Sequence, residues 1–156
     1  MGEEFTHIDE SGDARMVDVS AKPKVRRTAR AEGRIMLDPR TLEKIRQNGI
    51  AKGNVLATAR VAGIMAAKRC SDMIPLCHNI EIEHAEVGFE LGEDFIAIRS
   101  STTCTDKTGI EMEALAAVSV AALTIYDMCK AVDKAMRIEG VRLVEKTKET
   151  TEAKSV

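Results

Sequence analysis

The sequence predicts an α+β sandwich in which helices cover one face of an antiparallel sheet. Three observations carry that prediction. Stretches of alternating small or apolar and charged residues read as strands near both ends and in the middle of the chain. Two long apolar runs between them contain no proline. Aromatic residues make up only 3% of the 156 residues against 44% hydrophobic overall, leaving Ala, Val, Ile, Leu and eight Met for the core, a texture that suits helices laid on a sheet.

The elements follow in order. Residues 25–37 alternate charge with Ala29, Ala31, Ile35 and Leu37, as a half-buried strand does. A short helix comes next, with Asp38 as cap, Pro39 at the first helical position, Leu42 and Ile45 facing inward and Gly49 as terminator. Asn54 caps a second helix expected to run to about Met73, with Val55, Ala59, Ala62 and Met65 on its inner stripe and Pro75 stopping it. Ile80 and Ile82, then Ala85, Val87, Phe89 and Leu91, alternate as strand; 92–94 make a turn, and 95–101 return as the second arm of a hairpin. From Thr108 to about Lys134 the chain reads as one long helix, roughly 40 Å at 1.5 Å per residue. Residues 142–145 form a closing strand. With right-handed crossovers this order gives a ferredoxin-like sandwich. We expect one domain over 1–156, with flexible ends at about 1–13 and 147–156, where the chain is polar and aperiodic.

Composition excludes several function classes. A net charge of −2 argues against a general nucleic-acid binder. The basic stretch of Lys22, Lys24, Arg26, Arg27, Arg30 and Arg34 reads as a local anion patch or, equally, as a solvated strand edge. No apolar run reaches the roughly 18 residues of a membrane span, so no membrane partner is expected. The four cysteines, at 70, 77, 104 and 129, show no Cys-x-x-Cys spacing, so we expect no metal site and free thiols in a reducing cytoplasm.

Chemistry concentrates on the long helix. Glu113, Asp127, Lys130 and Lys134 interrupt it, and the last three share a face by spacing. A carboxylate beside two ammonium groups reads as an acid/base pair with a phosphate clamp, or as a surface ion pair, which spacing alone favours. Glu113 precedes Asp127 by nearly four turns, about 21 Å along the axis. Antiparallel pairing of two such helices across a two-fold would bring Glu113 of one copy near Asp127 of the other. Lys52 stands before a helix start, a favourable phosphate position that plain capping by Asn54 also explains. Leu76, Cys77 and His78 lie in a loop between helix and strand, where His78 reads as a proton shuttle or as a solvated histidine.

Four segments carry a resemblance: 16–22, 52–68, 74–78 and 108–130 closely resemble the MoaC family of cyclic pyranopterin monophosphate synthases, over roughly 5–146. The resemblance implies an enzyme of molybdenum-cofactor biosynthesis that converts a 3′,8-cyclised dihydro-GTP triphosphate to cyclic pyranopterin monophosphate, releasing diphosphate. It implies a ferredoxin-like fold and a hexamer, a trimer of dimers with sites at the dimer interface. By position it implies Asp127, Lys130 and Lys52 as catalytic, and Leu76, Cys77, His78, Met112, Glu113, Arg27, Lys68 and Lys146 as substrate contacts. No cofactor is required in that scheme, although Mg²⁺ could accompany the triphosphate. Departures from the family pattern fall at Asn79, at 103–108 and in the tail after Lys146. The alternative is a nonenzymatic ferredoxin-like oligomer that binds a small regulatory ligand.

Overall fold

The computed structural model describes residues 7–150. Its four strands are β1 (Val25–Met36), β2 (His84–Leu91), β3 (Phe95–Asp106) and β4 (Arg137–Glu149), in the sheet order β2-β3-β1-β4 with every neighbour antiparallel. Four helices complete it: α1 (Pro39–Arg46), α2 (Val55–Lys68), α3 (Cys70–Met73) and α4 (Glu111–Cys129). The order β1, helices, β2, β3, α4, β4 is the expected ferredoxin-like sandwich.

The inner face of the sheet is small. Opposite pairs Ala29–Thr102, Ala31–Ser100, Gly33–Ile98 and Ile35–Ile96 all point at the helices. Small side chains let α4 lie close, with Ala114, Ala117, Val118, Ala121, Ala122 and Ile125 buried beneath it. The outer face is charged, and the basic stretch resolves there. Arg30 pairs with Glu145 at 2.6 Å, Arg34 with Glu139 at 2.9 Å and Arg142 with Glu32 at 2.7 Å, so these arginines belong to a solvated cross-strand lattice.

The starts of α1 and α2 match expectation, whereas α4 begins at Glu111, three residues after the expected Thr108. Asp38 accepts from Arg40 N at 2.8 Å with Pro39 next, and Asn54 accepts from Ala57 N at 2.9 Å. Helix ends differ. Asn48, not Gly49, takes the left-handed conformation after α1 (φ 52°), which asparagine tolerates. The second helix breaks at Arg69 (φ −115°, ψ 19°) into α2 and the short α3. The inner stripe of α2 is Val55, Ala59, Gly63 and Ala66, while Met65 is 47% exposed. Gly63 sets this rotation: a Cβ there would lie 2.8 Å from Ala117 O and 3.0 Å from Val87 Cγ2, so the absence of a side chain lets α2 touch α4.

The long helix is shorter than expected, 19 residues. Before it, the hydroxyls of Ser100 and Thr102 donate to Ala114 O (2.7 Å) and Ile110 O (3.3 Å), pinning the first turn to β3. After it, the buried Asp133 accepts from Asp38 N (2.8 Å) and Ala135 N (3.1 Å), turning the chain toward β4. Lys134 therefore lies beyond the helix and leaves the face of Asp127. By length and composition α4 would span a membrane, contrary to expectation, but it packs between sheet and α2 and carries a buried glutamate.

Ile80 and Ile82 pack against the core from an extended segment outside β2. β4 is longer than the expected 142–145 and includes Thr147–Glu149, opposite Thr28, Arg27 and Arg26. Of the flexible ends expected at about 1–13 and 147–156, residues 1–6 and 151–156 lie outside the described residues, while Thr147–Glu149 belong to β4. Register shifts between β1 and β4 at Arg30/Ala31 and Glu32/Arg34 change the strand's parity. Leu143 and Lys146, opposite Ala31 and Ala29, thereby both face the helices.

Candidate active site

α2 and α4 run antiparallel, so two groups of functional side chains form at opposite ends of α4. The first surrounds Asp127 in its last turn. Lys130, one turn on, reaches Asp127 Oδ1 at 2.7 Å. Lys52, from the loop before α2, donates to Asp127 Oδ2 at 3.1 Å and to the Asp127 carbonyl at 2.9 Å. The three side chains are half-exposed, at 47–59%. The hydrogen bond from Lys130, then that from Lys52, holds the Asp127 carboxyl below its ordinary range; Asp127 in turn raises Lys130. The Lys130 pair alone would be an ordinary i,i+3 surface contact. Lys52 converts it into a carboxylate gripped from two sides, an arrangement that local spacing does not contain.

The second group surrounds Glu113 in the first turn. Glu113 is 2% exposed, and its Oε1 accepts from Cys77 Sγ at 3.7 Å. Its Oε2 has no hydrogen-bond partner among the described residues. Burial pushes the carboxyl up, toward the protonated form. Glu113 and Asp127 lie on neighbouring sides of one helix, yet one is covered by α3 and the loop after it and the other is open. His78 Nε2 lies 2.7 Å from Val17 O, tying the loop to the N-terminal segment. Leu76 is half-buried and Met112 38% exposed beside them.

Lys68, in the last turn of α2, is exposed at the Glu113 end. Arg27 donates through Nε to Asp106 O (3.0 Å) and through Nη2 to Lys107 O (3.1 Å), which ties its guanidinium to the end of β3. Lys146, turned inward by the bulge, reaches Glu111 Oε1 at 3.2 Å. Arg27, Lys146 and Lys148 with Gly109, Ile110 and Glu111 line a cleft of about 260 Å³ at the N-terminus of α4. There the helix dipole and three cationic side chains favour an anion.

The sequence-derived residues thus fall into two sets. Lys52, Asp127 and Lys130 meet at one end; Leu76, Cys77, His78, Met112, Glu113, Arg27, Lys68 and Lys146 gather around the other. No single chain unites the sets. Sequence reasoning missed Glu111, the partner of Lys146, whose position in a helix first turn was the available signal. It also passed over Cys70, whose distance from Cys77 in sequence gave none.

A family model described as "MoaC family" matches residues 16–149. A cyclic pyranopterin monophosphate synthase of Desulfitobacterium hafniense is 58% identical over 145 residues, 92% of this chain and 89% of that protein. One of Chloroflexus aggregans is 53% identical, covering 92% of this chain and 88% of its own length. A molybdenum cofactor biosynthesis bifunctional protein of Chlorobaculum tepidum is 56% identical over 92% of this chain, which spans only 46% of that longer protein. With the model matched over most of the chain and identity above one half to full-length relatives, the chain belongs to the MoaC family.

Proposed function

We propose that two copies of this chain form a composite active site in which the Asp127 end of one α4 meets the Glu113 end of the other. The chain is an enzyme of the cyclic pyranopterin monophosphate synthase kind, acting early in molybdenum-cofactor biosynthesis, as its relatives over nearly the whole length are named. Its substrate is the 3′,8-cyclised dihydro-GTP triphosphate, and its products are cyclic pyranopterin monophosphate and diphosphate. A purely regulatory ligand-binding oligomer is not favoured, because kinship is to named enzymes across the same residues.

The observation that carries the composite site is the grip of Lys52 and Lys130 on Asp127, at 3.1 and 2.7 Å, about 21 Å along the helix from Glu113. Groups that serve one reacting atom must each stand about 3 Å from it. Antiparallel docking of two α4 helices satisfies this twice. The exposed Met112, Leu123 and Asp127, with half-buried Ala116 between them and Leu123 57% exposed, support such docking, as do Val61 and Met65 on α2. Three such dimers make the hexamer.

Rearranging the purine and closing the cyclic phosphate need proton transfers, and the side chains suit different parts of them. Asp127 stays ionised between two ammonium groups, orienting them toward substrate oxygens. Glu113, buried and shifted toward its neutral form, is suited to hold a proton that Asp127 would lose. His78 and Cys77 stand beside it as further contacts. Arg27, Lys68 and Lys146, with Lys52, meet the triphosphate and offset charge as diphosphate leaves. The scheme uses no resident cofactor, and any Mg²⁺ arrives with the triphosphate. Four free thiols suit a reducing cytoplasm as the working compartment.

The test is turnover. Purified protein given the cyclised dihydro-GTP releases diphosphate, and Asp127→Ala or Lys130→Ala abolishes release while the oligomer persists in light scattering. Full turnover by either variant, or by a strictly monomeric wild type, would overturn the reading.

A further inference from the structure

Two cysteines seven residues apart come together beside one buried carboxylate. Cys70 opens α3, Cys77 sits in the loop after it and Glu113 projects from the first turn of α4. One ligand atom from each lies within 4.8 Å of the other two. Cys70 is 1% and Glu113 2% exposed, while Cys77 is partly exposed and gives the cluster its opening. Glu113 Oε2, although buried, has no hydrogen-bond partner among the described residues, an uncompensated polar atom that native interiors seldom keep.

The geometry points to a binding site for a soft divalent cation of the zinc class, held by Cys70, Cys77 and Glu113 with its fourth position toward the opening. Two thiolates and a carboxylate are a ligand set that selects zinc over magnesium or calcium, which take oxygen alone. Distances fit with little movement. Tetrahedral zinc with ordinary bond lengths sets sulfur–sulfur and sulfur–oxygen edges of roughly 3.5–3.8 Å. Cys77 Sγ to Glu113 Oε1 is already 3.7 Å. The remaining edges close by at most about 1.3 Å from the 4.8 Å limit. His78 stays outside the set, because its Nε2 is committed to Val17 O. Binding exchanges the two thiol protons, and the proton that Glu113 holds, for the metal and releases them to solvent. It also places a positive charge beside the Glu113 carboxylate, whose Oε2 is otherwise uncompensated.

The site overlaps the proposed enzyme through Cys77 and Glu113 but adds Cys70, which has no part in that reaction. A bound ion would hold both substrate-contacting groups, so the metal is an inhibitor acting at the Glu113 end. Direct binding is measured independently of turnover, by titrating reduced full-length protein with Co²⁺ and following the thiolate-to-cobalt charge-transfer band, then displacing it with Zn²⁺. We expect one ion per chain and tetrahedral cobalt bands. Cys70→Ser weakens binding by roughly a hundredfold while leaving the melting profile and metal-free turnover in place. Glu113→Gln weakens cobalt binding as well. Zn²⁺ suppresses wild-type diphosphate release, reversibly with a chelator, at concentrations that spare Cys70→Ser. Absence of a charge-transfer band, a stoichiometry well below one, or equal affinity in wild type and Cys70→Ser would overturn the assignment. A failure of turnover in all forms would instead refute the proposed enzyme and leave the metal titration standing.

Discussion

Mixing two inactive variants measures whether Asp127 and Glu113 act from different chains. Asp127→Asn removes the charge that Lys52 and Lys130 grip at 3.1 and 2.7 Å. Glu113→Gln neutralises the buried carboxyl at the other end of α4. Along the helix the two positions are about 21 Å apart, so one reacting centre cannot touch both within a chain. In a two-fold dimer each site takes its Asp127 from one chain and its Glu113 from the other. A mixed dimer then holds one site with both lesions and one with neither. Random pairing of equal amounts makes half of the dimers mixed, so about a quarter of all sites recover wild-type composition. The assay is diphosphate release after co-refolding differently tagged chains, with mixed dimers isolated through both tags. Each variant alone should be inactive, the mixture should recover about a quarter of wild-type activity, and isolated mixed dimers about half. Isolated mixed dimers with no activity would refute the composite site, because every site would then draw both groups from one chain.

Other outcomes follow from burial and contact. In wild type, folded Glu113 keeps its proton above the ordinary 4.5 at which the unfolded chain loses it, so stability falls as pH rises through that interval. Glu113→Gln lacks this loss; its stability relative to wild type should climb from about pH 4 upward and then level, and parallel urea-midpoint profiles would contradict the buried, raised carboxyl. Gly63→Val drives a side chain into Ala117 O and Val87, and should cost about 2–3 kcal/mol in urea unfolding. Asp133→Ala strands the amides of Asp38 and Ala135, and should cost about 1–3 kcal/mol with little change in the unfolding slope.

Some of this molecule was legible from residues a few positions apart. Asp38 and Asn54 cap their helices through hydrogen bonds spanning two and three residues, and strand alternation marked Ala29, Ala31 and Ile35 as buried. The Asp127–Lys130 pair is likewise one helical turn. Helix ends were less legible. The break at Arg69 and the stop at Cys129 depend on contacts from elsewhere, Asp133 with the start of α1 among them, and no propensity signal such as Pro or Gly marks either point.

Element order, the aliphatic core, the starts of α1 and α2 and, through four recognisable segments, the family could all be read from the residues in line. The packed layers were needed to show that Lys52 joins Asp127 across 75 positions, that Cys70 meets Cys77 and Glu113, and that bulges turn Lys146 toward the helices. The division is physical. Caps and periodicity arise from interactions within one or two turns of chain, which a sequence displays directly. Which face a strand residue presents after a bulge, and which distant side chains share a desolvated pocket, is fixed by the packing of all the layers together.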